Sequence, residues 1–153
     1  MNGRITLWRV SNYASLDEIG GPHVSGRWHT KGRLFLYCSE NPSTALLETL
    51  VHLEIDREDR PQNFQVLKLE SIRAVSIDQV DLASLRGGWH SDLVQTRRVG
   101  DRWLNSGKSL LLEVPSVLVS GRRNYLVNAA HPEARNLRIV AHHSHPFDSR
   151  LFK

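Results

Sequence analysis

Arg9, Arg27, Tyr37, Glu48 and Ser116 are the residues whose types and settings could do chemistry. Arg9 follows Trp8 in an otherwise apolar run, Ile5 to Val10 (ITLWRV). An arginine there either points to solvent from an alternating strand or turns inward, where its planar fork of donors suits a phosphate or a ribose hydroxyl. Arg27 and Trp28 stand side by side in HVSGRWHTKG (23–32), too rich in glycine and small polar residues for a helix. A plain surface turn needs neither a guanidinium nor an indole. Tyr37, beside Phe35 and Cys38, is either a core ring or a ring that stacks on an aromatic ligand. Glu48 falls at the edge of a helical stripe of Leu46, Leu47, Leu50 and Val51, about 100° round from Leu47. It either pairs with His52 one turn on or faces a cleft beside the core. Ser116 is a turn serine, or it sits at an edge or bulge made by Pro115, where a side chain can be re-aimed toward a site. Asn128 precedes a turn, where asparagine is ordinary.

These side chains need elements to hold them. Ile5 to Val10 reads as a first strand and Arg33 to Ser39 as a second. Between them, residues 11–32 form a long connection with five glycines or prolines, and connections of this length are often functional. Asn41 is an N-cap with Pro42 at the first helical position, opening a helix to about His52. Phe64 to Leu69 alternates as a strand, and Ile72 to Ile77 reads as another. Ser91 to Asn105 has helical periodicity with Gly107 as its stop. Strand-like runs follow at Leu110 to Glu113, Val117 to Val119, Tyr125 to Val127 and Leu137 to Ala141. The expectation is one α+β domain over residues 1–153, a mixed sheet with flanking helices.

The bulk composition excludes several classes. A chain of 153 residues, 40% hydrophobic and 24% charged, is ordinary for a globular domain. No apolar run approaches the ~20 residues of a membrane span, and the start, MNGRITLWRV, has no long apolar segment of a signal peptide. The one cysteine, Cys38, fits a reducing compartment, so a cytoplasmic protein is expected. The net charge of +4 allows an anionic small molecule, but the densest basic groups are only pairs, Arg97-Arg98 and Arg122-Arg123. A nucleic-acid binder shows a clearer stripe. The run His142-His143-Ser144-His145 lacks cysteine pairs or an HExxH setting, so no metal site is expected. Walker, GxGxxG and GxSxG patterns are missing as well.

Taken singly the chemical residues are commonplace. Their order is not. Trp8-Arg9, Gly26-Arg27-Trp28, Leu36-Tyr37-Cys38-Ser39, Ala45-Leu46-Leu47-Glu48, Val114-Pro115-Ser116, Asn124-Tyr125-Leu126-Val127-Asn128 with His131-Pro132, and Pro146 to Leu151 follow one another. The ordered set resembles the RES-domain family over nearly the whole chain. That resemblance implies an ADP-ribosyltransferase-like fold around a cleft for NAD. It implies a toxin of a type II toxin–antitoxin system that cleaves NAD at the nicotinamide–ribose bond, by hydrolysis or phosphorolysis, and arrests growth by depleting it. ADP-ribosylation of a cellular protein is the alternative activity within the family. No cofactor is implied beyond NAD as substrate, with inorganic phosphate as a co-substrate in phosphorolysis.

Carried over position by position, the resemblance makes Glu48, Arg27, Ser116 and Tyr37 the catalytic set. It makes Arg9, Arg27, Tyr37, Ser116 and Asn128 the contacts to NAD. On that reading Arg27 reaches the substrate from its loop while Trp28 buries its ring and anchors the loop. The implied partners are an Xre-like helix-turn-helix antitoxin, a second copy in a homodimer, and DNA only through the antitoxin, with no membrane. The family usually reads Gly-Arg-Trp-Asn where this chain has His29, which puts a ligand contact by His29 in doubt. The rival readings are an RNA-acting enzyme and a non-catalytic corepressor module.

Overall fold

A computed structural model of the protein describes residues 2–11, 26–52 and 63–152. The strands are β1 (Asn2–Gly3), β2 (Thr6–Ser11), β3 (Phe35–Ser39), β4 (Asn63–Ser71), β5 (Val75–Gln79), β6 (Leu111–Pro115), β7 (Arg123–Asn128) and β8 (Leu137–Pro146). The α-helices are α1 (Pro42–His52) and α2 (Leu93–Ser106). The eight strands form one mixed sheet in the order β1-β5-β6-β7-β3-β2-β4-β8. Only β5 and β6 run parallel among the registered pairs. The architecture is α+β, as expected. No helix among the described residues is long and apolar enough to cross a membrane.

Side-chain alternation along the strands divides the core. Leu7, Leu36, Cys38, Leu67, Leu69, Tyr125 and Val127 share one cluster with Val75 on β5 and Leu137 on β8. Those last two strands lie near opposite ends of the sheet order, so the sheet curls over its own apolar face. The other face takes the helices. Leu112, Val114 and Leu126 pack with Trp103 and Leu104 of α2 and with Trp28. Ala45 of α1 packs with Val10 and Phe64.

Several sequence expectations hold. Asn41 Oδ1 accepts the Thr44 N–H at 2.8 Å and opens α1. Gly107 closes α2 at φ 58°, a left-handed conformation that glycine adopts without strain. The start of α2 shifts two residues because Asp92 takes the N-cap, its side chain accepting from the Gln95 N–H. Trp89–Ser91 forms a separate 3-10 turn before it.

Others are corrected. Val117–Val119 is not a strand, because Ser116 Oγ accepts the N–H groups of Leu118 and Val119, donors that a ladder would need. Pro115 neither breaks nor bulges β6: the register against β7 runs unbroken from Leu111 to Pro115, and the proline is its last residue. Ile72 does not begin β5. The chain reverses after β4, with the Ile72 N–H donating to the Asn136 carbonyl, and pairing restarts at Val75. β3 begins at Phe35, leaving Arg33 outside it and Leu34 exposed. β8 runs on to Pro146 because β4 pairs with it along its whole length. Of the long connection, residues 12–25 lie outside the described ones.

Candidate active site

Glu48 reaches the sheet because α1 rolls differently from its apolar stripe. Leu47 and Val51, expected on the buried face, are 44% and 51% exposed, while Thr44 and Ala45 are buried. Glu48 lies three residues on from Ala45, on the same side of the helix, and is half-buried. The His52 side chain, a possible partner on sequence grounds, lies outside the described parts. Glu48 instead meets β7 and the end of β6. Ser116 Oγ donates to Glu48 Oε1 at 2.9 Å, and Asn124 Nδ2 donates to the same oxygen at 2.7 Å. Ser39 Oγ in turn donates to Asn124 Oδ1 at 2.6 Å.

The orientation of each group is determined by its neighbours. Ser116 Oγ already accepts from two backbone N–H groups, so its own proton goes to Glu48. The Glu48 carboxylate only accepts, so the NH2 end of the Asn124 amide faces it, and the Ser39 hydroxyl donates to the carbonyl end. Register explains the meeting: Ser39 pairs with Asn124 across β3 and β7, and Asn124 pairs with Val114 across β7 and β6. Residues opposite one another in a ladder project from the same face.

Tyr37 precedes Ser39 by two residues on β3, so it stands on that same face, about 7 Å along the strand. Its hydroxyl accepts the Trp28 N–H at 3.0 Å and lies 3.0 Å from His29 Nδ1. The Gly26 N–H is shared between the His29 carbonyl and His29 Nδ1, each at 3.1 Å, which folds the loop back over the Tyr37 hydroxyl. Burial pushes the Tyr37 hydroxyl well above its ordinary pKa, outweighing the Trp28 N–H and the positive charges of Arg97 and Arg27. Tyr37 is therefore a neutral hydroxyl at physiological pH and no ready base.

The loop that carries Arg27 is docked on α2. Thr96 Oγ1 donates to the Arg27 carbonyl at 2.6 Å, and Arg97 Nε donates to the Gly26 carbonyl at 2.8 Å. Asp101 accepts both the N–H and the hydroxyl of Thr30, at 2.9 and 2.7 Å. Trp28 is buried at 2% exposure in the α2 core, with its ring 5.9 Å from that of Trp89. The expected anchor is thus in place. Arg27 itself is half-buried, and its Nη1 donates to the His90 carbonyl at 2.7 Å.

The family model of the RES domain matches residues 6–148. The chain belongs to the RES domain family. It is similar to a protein named Toxin Res from Pseudomonas putida, 45% identical over 146 residues, covering 95% of this chain and 99% of that protein. It is also similar to a Toxin Res from Yersinia enterocolitica, 34% identical over 135 residues, covering 86% and 87%. A protein of Sphingobium named Prs ADP-ribosylating toxin is 28% identical over 158 residues, covering 97% of each.

Within this RES domain the sequence-derived residues divide into three groups. Glu48 and Ser116 are in direct contact. Tyr37 and Arg27 belong to the adjoining loop-and-strand cluster, joined through Trp28. Arg9 and Asn128 are not brought to Glu48 by any hydrogen bond among the described residues. Arg9 leaves β2 with the parity of Leu7, away from Trp8, and its Nη1 donates to the Tyr37 carbonyl at 2.9 Å. It bridges β2 and β3 where their register holds only at Trp8 and Ser39. Asn128 ends β7 opposite Phe35, four residues or about 13 Å from Asn124, and its Oδ1 accepts the Ala130 N–H.

Asn124, Ser39 and His29 carry contacts that sequence reasoning did not assign. Asn124 sat in the recognised segment, but its companion Asn128, next to the turn, drew the functional role. Alternation along β3 from Tyr37 to Ser39 was the available signal for Ser39. His29, 2% exposed, holds Tyr37.

Proposed function

We propose that this RES domain is a toxin that cleaves NAD between nicotinamide and ribose. The observation that carries the reading is a glutamate fixed by two neutral donors, Ser116 and Asn124, on the sheet face that also presents Tyr37. Nicotinamide departs neutral from a cationic pyridinium, so little acid catalysis is needed. Positive charge develops on the ribose as an oxocarbenium-like centre. A carboxylate held beside that sugar stabilises the developing charge without reorganising, an effect worth several kcal/mol in preorganised sites. Arg27 clamps the anionic part of the substrate, and Tyr37 offers a flat, neutral ring beside it. Water as acceptor gives ADP-ribose, and phosphate gives a phosphorylated ADP-ribose. The toxin reading carries with it a cognate helix-turn-helix antitoxin as partner.

The test is purified protein, free of antitoxin, incubated with NAD with and without phosphate, the products identified by mass. Free nicotinamide is expected, and Glu48→Gln is expected to abolish it while largely sparing NAD binding. Wild-type turnover in Glu48→Gln overturns the role of Glu48. Survival of NAD with the folded wild-type protein overturns simple NAD degradation. A second reading, ADP-ribosyl transfer to a protein, is favoured by the relative named as an ADP-ribosylating toxin. It is distinguished by label from adenine-labelled NAD appearing on a protein band.

A further inference from the structure

We propose that Asn124, locked by Ser39, is a positioning residue that saturates Glu48 Oε1 and leaves Oε2 as the oxygen that meets the substrate. The proposal deepens the NAD-cleaving reading of this site and rests on it. Both donors to Glu48, Ser116 Oγ and Asn124 Nδ2, go to Oε1. A carboxylate oxygen has two lone-pair sites in its plane, and two donors at 2.9 and 2.7 Å occupy them. A hydroxyl or a developing positive charge on the substrate then has Oε2 as its point of approach.

The device works because each donor is itself locked. Asparagine can present either end of its amide. Presenting the carbonyl to Glu48 would oppose two acceptors and push the carboxylate away. The Glu48 carboxylate, which only accepts, draws the NH2 end toward itself, and the Ser39 hydroxyl secures that orientation by donating to Oδ1. Ser39, Asn124 and Ser116 are all buried, at 3%, 9% and 7% exposure. Water has little room to substitute for any of them. Asn124 therefore does two things at once. It fixes the rotamer of Glu48, and its N–H fills a lone pair of Oε1 that the substrate would otherwise meet.

The two functions give separable tests. Asn124→Ala is expected to lower kcat for NAD cleavage by about tenfold or more while KM moves by less than about threefold, because only the charge-stabilising contact is lost. Asn124→Asp replaces the donor with a second carboxylate, and two such groups in contact disfavour joint ionisation. The acid limb of its pH–rate profile is expected to move up by about one pH unit or more. A merely structural role lowers the folded fraction without moving that limb.

A substrate-independent measurement separates this proposal from the NAD reading. In the wild-type protein the side-chain N–H of Asn124 facing Glu48 is expected far downfield in the proton NMR spectrum. It is expected to move upfield in Glu48→Gln, and to broaden in Ser39→Ala as the amide gains freedom to turn. If the wild-type protein leaves NAD intact, the NAD reading fails, and an unshifted Asn124 amide would in addition overturn the positioning. If NAD is cleaved and Asn124→Asp keeps the wild-type acid limb and kcat, the positioning role is overturned while the activity stands.

Discussion

The backbone of α2 at Gly100 lies directly beneath the carbonyl of Trp28. A β-carbon at Gly100 would stand 1.6 Å from the Trp28 oxygen and 2.7 Å from its carbonyl carbon. Both atoms are backbone, so no rotamer change relieves the clash. The helix and the loop approach this closely because Thr96, Arg97 and Asp101, on the turns either side of Gly100, each hydrogen-bond the segment from Gly26 to Thr30.

Gly100→Ala is therefore expected to destabilise the protein. In an ordinary helix interior the same change stabilises by about 1 kcal/mol. Here the overlap forces a backbone shift, and overpacking of that kind costs about 1–3 kcal/mol. The sign alone decides, and urea denaturation of the two proteins reads it. An increase in stability would mean that the loop stands off the helix in solution. Weaker NAD binding is expected with it, because Arg27 rides on the displaced loop.

Tyr37→Phe tests the inner side of the same loop. The hydroxyl accepts the Trp28 N–H and meets His29 Nδ1. Phenylalanine keeps the ring but withdraws the acceptor from a buried N–H, at a cost of about 1–3 kcal/mol. Loss of stability by denaturant titration is expected, accompanied by a change in Trp28 fluorescence as the loop loosens. A fully stable variant would mean that the loop is held from α2 alone.

Much of this scaffold was legible in advance. Asn41-Pro42 and Gly107 marked helix ends because caps are local chemistry. β2 showed itself by its β-branched and aromatic residues and β4 by apolar alternation. What the sequence could not show was decided by contacts between distant residues. The roll of α1 depends on Glu48 meeting Ser116, 68 positions away, and Asn124, 76 positions away. The Leu47 and Val51 stripe therefore misled. Val117–Val119 has strand-like residues, but one serine hydroxyl captures its N–H groups. Asn128 and Asn124 are chemically identical as residues, and only register separates the one that meets Ser39.

Cys38 is expected to be inert in the native state. It is buried at 2% exposure, and burial pushes its thiol up to about 11 despite the opposing charge of Arg9. The thiolate is the reactive form, so a thiol reagent at pH 8 should label the protein only after denaturant is added. Rapid labelling of the native protein would reveal opening of β3, which lies between β2 and β7 in the sheet. Because the folded thiol titrates higher than an unfolded one, its contribution to stability is present below about pH 8.5 and declines as pH rises toward 11.

Glu133 sets the opposite dependence at acid pH. Its carboxyl is held below the usual glutamate range, first by the hydroxyl and then by the N–H of Ser76, with a smaller attraction from His131 and slight burial opposing. The Leu110 N–H donates to Ser76 Oγ at 2.9 Å, which turns the serine proton toward Glu133 and ties β5 to the turn before β8. The unfolded chain binds a proton at Glu133 near pH 4.3, and the folded chain does so only at lower pH. The stabilisation is therefore complete above that unfolded value and is lost as pH falls through the folded one. Glu133→Gln is expected to be less stable than wild type at pH 7, with the gap closing steadily below about pH 4.3. Urea midpoints measured from pH 7 to pH 3 check it. A gap that stays constant across that range would mean the Ser76 bonds do not discriminate between the two protonation states.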